Sequence, residues 1–123
     1  NTADRSLAMI DYALRRRFSF FDMKPQFESD KFKQYQENLN HEIFNKVIDA
    51  MIALNREINE DLGDGFTIGH SYFCGANDVE SIERWLKSIL KYDIIPMLKE
   101  YWFDEQDTFE KSSKILNEII SSL

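Results

Sequence analysis

Cysteine and histidine are nearly missing from this sequence: Cys74, His41 and His70 are all that 123 residues hold of the two. A lone cysteine excludes an internal disulfide, and the three together fall short of the Cys/His spacing of a zinc site, so no metal is expected. No apolar run is long enough to span a bilayer and no signal-peptide pattern is present; the chain therefore reads as cytoplasmic, without a membrane partner. Internal repeats, heptad runs and low-complexity linkers are also lacking. The first residue is Asn1 and not methionine, which reads as a piece of a longer protein.

What is present is the composition of one folded domain, with 43 % hydrophobic and 30 % charged residues. The net charge of −7 argues against a surface that coats nucleic acid. Its distribution says more. Residues 1–24 hold five Lys/Arg against three Asp/Glu, a balance of +2, and the remainder holds ten against nineteen, a balance of −9. A small, local positive end suits a pocket for one phosphate-bearing ligand better than a DNA groove.

The opening stretch, NTADRSLAMIDYALRRRFSF, predicts a helix from an Asp4 N-cap to about Arg17, with Leu7, Ile10 and Leu14 on one face and Ala3 and Ala13 flanking. FSFFDM (Phe18–Met23) reads as a short strand ended by Pro25. Phe18 and Phe20 point one way, Phe21 and Met23 the other, so the strand needs a sheet whose other strands lie upstream. From Lys24 onward the pattern is helical. Phe27, Phe32 and Tyr35 place a helix near 30–38, and Phe44, Val47, Ile48, Met51, Ile52, Leu54 and Ile58 form the stripe of a longer helix at about 41–61, broken by Gly63 and Gly65. GFTIGHSYF follows as an aromatic-rich connector. Asn77 or Asp78, with Glu80 for a capping box, is expected to start a helix carrying Ile82, Trp85, Leu86, Ile89 and Leu90. Asp93 and Pro96 mark a break or a new helical start through Trp102. Asp107 and Glu110 repeat the capping arrangement before a last helix with Phe109, Leu116, Ile119, Ile120 and Leu123.

Three consecutive arginines, Arg15, Arg16 and Arg17, complement a helix macrodipole for about 0.3–1 kcal/mol each. One or two would suffice for that, and three in sequence point about 100° apart around the axis. Asp11 stands four residues before Arg15 and can brace it. Asp4 reads as a cap and Arg5 as a surface or intersubunit ion pair. Trp85, Tyr101, Trp102 and Phe103 read as core at helical spacing, not as a stacking platform. Glu57, Glu60, Asp61 and Asp64 read as a solvated face.

The tract Asn1–Ser6 resembles the end of the AAA+ core in McrB-type subunits of 5-methylcytosine-specific restriction systems, where Met-Asn-Thr-Ala-Asp-Arg-Ser follows the fourth core strand. Two later stretches agree in order: GFTIGHSYF, from Gly65 to Phe73, and IIPMLKEYWFD, from Ile94 to Asp104. The resemblance implies a mainly α fold, a helical AAA+ lid at 25–123 preceded by the last helix and strand of the αβ core at 1–24. It implies a motor that uses GTP with Mg²⁺, assembles as a homo-oligomeric ring, drives a nuclease subunit and meets DNA through other regions. It places Asn1 at the sensor 1 position that orients the attacking water. It makes Arg17, or Arg16, a finger reaching a neighbouring subunit's phosphates, and leaves Asp4, Arg5 and Asp11 as supporting residues.

Many AAA+ lids contact nucleotide through an arginine. Here His70 and Ser71 occupy that region, either toward nucleotide or as part of a turn in which Ser71 caps a helix and Tyr72 and Phe73 fill core. The sequence also lacks a G-x-x-x-x-G-K-[ST] loop, so this piece by itself is expected to hold no cofactor and to hydrolyse nothing. An ATP-using AAA+ remodeller and a free-standing helical interaction module, its arginines docked on an acidic partner, are the alternatives.

Overall fold

The computed structural model describes residues 25–123. The expected helix from Asp4 to Arg17 and the expected strand Phe18–Met23 lie outside the described residues. Among the described residues the fold is mainly α, with no β-strand.

Helix α1 (Asp30–Leu39) starts where Ser29 Oγ accepts from the Phe32 N–H at 3.2 Å while its hydroxyl donates to the Gln26 carbonyl at 2.9 Å. It stops at Asn40, whose φ of +47° is the left-handed conformation that asparagine tolerates best among residues with a Cβ. His41 then caps α2 (Glu42–Leu62) by accepting the Phe44 N–H on Nδ1 at 3.1 Å. The apolar stripe of α2 is buried as predicted at Phe44, Val47, Ile48, Met51, Leu54 and Ile58. Ile52, expected on the same stripe, is only half-buried. Gly63 ends the helix at φ +102° and ψ +167°, a region that side chains with a Cβ avoid.

Residues 63–81 form a connector of three short 3₁₀ turns: Asp64–Phe66, His70–Phe73 and Ala76–Asp78. Its exit corrects the expected cap. Asn77 and Asp78 belong to the last turn, Val79 is extended, and Ser81 caps α3 (Ile82–Ile89) by accepting from the Arg84 N–H at 3.3 Å.

A π-helical turn (Leu90–Ile94) joins α3 to α4 (Ile95–Tyr101) without leaving the helical path. Proline inside an α-helix removes a donor and collides with the carbonyl four residues back. The wide turn meets both demands, with Pro96 at the start of α4 and the Ile95 N–H reaching Leu90 O. Helix α5 (Gln106–Ser122) has Glu105 at its cap position without a side-chain bond, so the Asp107–Glu110 capping arrangement does not form. Asp107 instead lies inside the first turn, where its charge suits the positive helix end.

The core runs from Phe27 to Ile119 and centres on Trp102 and Tyr101, both fully buried, so the core reading of these two aromatics holds, while Trp85 is half-buried and Phe103 is exposed. Rings at 5.4–6.4 Å link Phe27, Phe32, Tyr35, Phe44 and Trp85 in succession, tying the first described residues to α1, α2 and α3. Such pairs add about 0.5–1.5 kcal/mol each beyond burial.

Candidate functional site

The connector has no regular ladder, yet Thr67, Ile68, Phe73 and Ala76 are buried, so its backbone groups need partners from elsewhere. Side chains far away in sequence supply them. Asn55 on α2 donates through Nδ2 to the Ile68 carbonyl at 2.9 Å and accepts the Ile68 N–H on Oδ1 at 2.6 Å. Tyr35 on α1 donates its hydroxyl to the Phe73 carbonyl at 2.8 Å and accepts the Ala76 N–H at 3.1 Å. Desolvation raises the Tyr35 pKa and the Ala76 amide partly offsets this, so the phenol stays a donor at neutral pH.

His70 does the reverse and gives the connector's side chain to the incoming backbone. Its Nδ1 accepts the Gln26 N–H at 3.2 Å, and its ring meets Phe27 and Phe32 edge-on at centroid distances of 6.4 and 6.1 Å. Desolvation lowers the His70 pKa, which favours the neutral ring that an acceptor Nδ1 requires. The Cys74 thiol donates to the His70 carbonyl at 3.4 Å, and desolvation raises its pKa.

Ser71 is not a helix cap: it lies inside the His70–Phe73 turn, and its carbonyl accepts the Cys74 N–H at 3.4 Å. Phe73 fills core as expected, and Tyr72 is half-buried. Asn1, Asp4, Arg5, Asp11, Arg15, Arg16 and Arg17 lie outside the described residues.

A cleft of about 280 Å³ runs beside the connector between Phe27, the Ile52–Asn59 face of α2 and Thr67. Arg56 and Asn59 line it together with Glu28 and Asp64, while His70 and Ser71 do not. The described residues include no group of three or more His, Cys, Asp or Glu able to hold a metal ion.

A second histidine clarifies the first. His41 uses Nδ1 as an acceptor in the same way, and its Nε2–H then donates to Glu83 Oε1 at 2.9 Å, joining the starts of α2 and α3. Glu83 is held below the usual carboxylate range by its own backbone amide and then by His41.

Residues 46–110, a span that takes in most of α2, the connector, α3, α4 and the start of α5, match the family described as McrB, alpha-helical lid domain. The chain belongs to this McrB family. It is 45 % identical, over 96 % of its length, to the Type IV methyl-directed restriction enzyme EcoKMcrB subunit of Escherichia coli (strain K12). The chain spans 28 % of that relative's length. No solved structure matches it. The clamps described above thus shape the connector of a McrB lid. Asn55, His70 and the Ile68 and Phe73 carbonyls fall within the matched span, and Tyr35 reaches in from α1.

Proposed function

We propose that the chain is the C-terminal part of a GTP-hydrolysing AAA+ ring motor that drives a methylation-dependent, 5-methylcytosine-specific restriction endonuclease. Residues 1–24 form the end of the αβ core and residues 25–123 the helical lid. The observation that carries this reading is the 45 % identity across 96 % of the chain with a methyl-directed restriction enzyme subunit. In this reading the motor is a homo-oligomeric cytoplasmic ring with a nuclease partner, and DNA is met by other regions. Among the described residues no helix is long and apolar enough to cross a membrane.

The described residues do not fit GTP and Mg²⁺ by themselves: they offer no phosphate cradle and no metal-holding cluster. Both would be held mainly by parts of the subunit beyond this lid, with His70 and Ser71 on the nucleotide side. Arg17, or Arg16 beside it, would neutralise charge on a neighbour's transferred phosphoryl group, and Asn1 would orient water, with Asp4, Arg5 and Asp11 bracing that segment.

In the complete subunit, Arg17→Ala should lower turnover about a thousandfold or more while nucleotide still binds. Unchanged GTP hydrolysis in that variant removes the finger assignment. Turnover of GTP against ATP in the same subunit separates the GTP motor from an ATP-using remodeller, and no turnover of either leaves a helical interaction module.

A further inference from the structure

Residues 25–123 carry ten Lys/Arg against nineteen Asp/Glu, yet the stretch from Arg84 to Tyr92 holds three cations and no carboxylate. Arg84, Lys87, Ser88, Lys91 and Tyr92 are all exposed, opposite the buried Leu86, Ile89 and Leu90. Arg84 and Lys87 share one side of α3 at helical spacing. The π turn spreads a revolution over more residues, which keeps Lys91 and Tyr92 on that side. None of the three cations forms an ion pair among the described residues. Tyr92 is 67 % exposed, with Lys91 Nζ 5.5 Å from its ring centroid. The opposite chemistry gathers at the end of α2. Asp61 accepts the Trp102 indole N–H there, and Glu57 accepts from Ser112 Oγ at 3.5 Å, so this end is fixed against the turn between α4 and α5. Glu60 from α2, Glu105 from that turn and Asp107 from the start of α5 are exposed. Phe103, in the same turn, is 45 % exposed. Two of the three large apolar side chains exposed among the described residues, Tyr92 and Phe103, thus lie one on each charged face.

We propose that these faces are the two halves of one contact between copies of this chain. Tyr92 of one copy packs on Phe103 of the next, and Arg84, Lys87 and Lys91 face Glu60, Glu105 and Asp107 around that centre. An aromatic centre excludes water, and a charged rim fixes the register and rejects wrong pairings. Because the faces are unlike, copies join head to tail, and such a contact closes into a ring where its rotation allows. The contact rests on the ring reading above and deepens it, by naming a surface through which one lid meets another.

Charge reversal in the complete subunit tests the pairing, with assembly followed by sedimentation. One variant combines Arg84→Glu, Lys87→Glu and Lys91→Glu; the other combines Glu60→Lys, Glu105→Lys and Asp107→Lys. Asp61 is left intact because it holds Trp102. All six altered side chains are exposed, and an unchanged circular dichroism spectrum establishes that each variant is folded. Wild-type assembly should weaken as salt rises. Each variant alone should assemble at least about tenfold more weakly, since like charges then face each other. An equimolar mixture of the two should recover wild-type assembly, because each reversed face meets the reversed face of the other variant. A second measurement reads the centre directly. With Cys74→Ser in the background, Tyr92→Cys combined with Phe103→Cys should give a disulfide-linked ladder of subunits on oxidation, absent from either single variant. An assembly that shows no ladder, or a mixture no better than its components, overturns the contact and leaves the ring standing. A wild-type subunit that stays monomeric with and without GTP sinks the ring and the contact together.

Discussion

At the scale of single residues, the connections that matter join positions with no visible relation in sequence. Asp61 reads as one more carboxylate on a solvated face, yet it accepts the indole N–H of the fully buried Trp102 at 2.6 Å, 41 residues away. A buried donor that loses its partner costs about 1–3 kcal/mol. Asp61→Ala should therefore lower stability by that amount in urea unfolding, and the loss should shrink when Trp102 is already phenylalanine. No local spacing could have revealed this pair, because helical periodicity reports which face is buried and not which polar atom waits at its edge. His70 and Glu83 add a dependence on pH. Both His70 and Glu83 have folded pKa values below their ordinary ones, so the folded state binds fewer protons than the unfolded chain between the two values. Stability from such groups is fully present above the unfolded pKa and lost as pH falls through the folded one. Unfolding free energy should begin to drop below about pH 6.5 through His70 and again below about pH 4.3 through Glu83. His70→Asn should flatten the upper step only.

At the scale of elements, the helices were legible and their ends were not. Apolar spacing places α1 and α2 within a residue or two of where they lie, because burying one stripe is the main force that makes a helix. Caps are decided by which residue is extended when the turn closes, and the connector's last 3₁₀ turn absorbs Asn77 and Asp78 before Ser81 is reached. Ser81→Ala should destabilise by about 1 kcal/mol, and Asp78→Ala should change stability by less than about 0.5 kcal/mol. Thermal unfolding of the two variants distinguishes the assignments, and the reverse order would restore the cap to Asp78. The π turn was half-legible: Pro96 announces that regular α-helix cannot continue, but only packing shows that the chain widens and does not turn away. In the connector, the GFTIGHSYF stretch carried the family resemblance, while the clamps from Tyr35 and Asn55 that give it shape had no signal there.

At the scale of the whole molecule, the boundary near residue 25 becomes a physical question. Among the described residues the core is assembled from Phe27 through Ile119, with Trp102, Tyr101 and Phe44 at its centre. Ninety-nine residues with one shared apolar centre exceed the size of about 40 residues below which chains need staples. The segment before Pro25 carries the net +2 charge, against −9 for the remainder. Residues 25–123 expressed alone should therefore be helical by far-ultraviolet circular dichroism and should unfold in one cooperative transition. Trp102, closed in and hydrogen-bonded to Asp61, should give a near-ultraviolet signal that vanishes in the same transition. A helical product without that signal would have the secondary structure and lack the packing, the mark of a molten globule. Residues 1–24 would then be part of what holds the lid together, and the division at residue 25 would be abandoned.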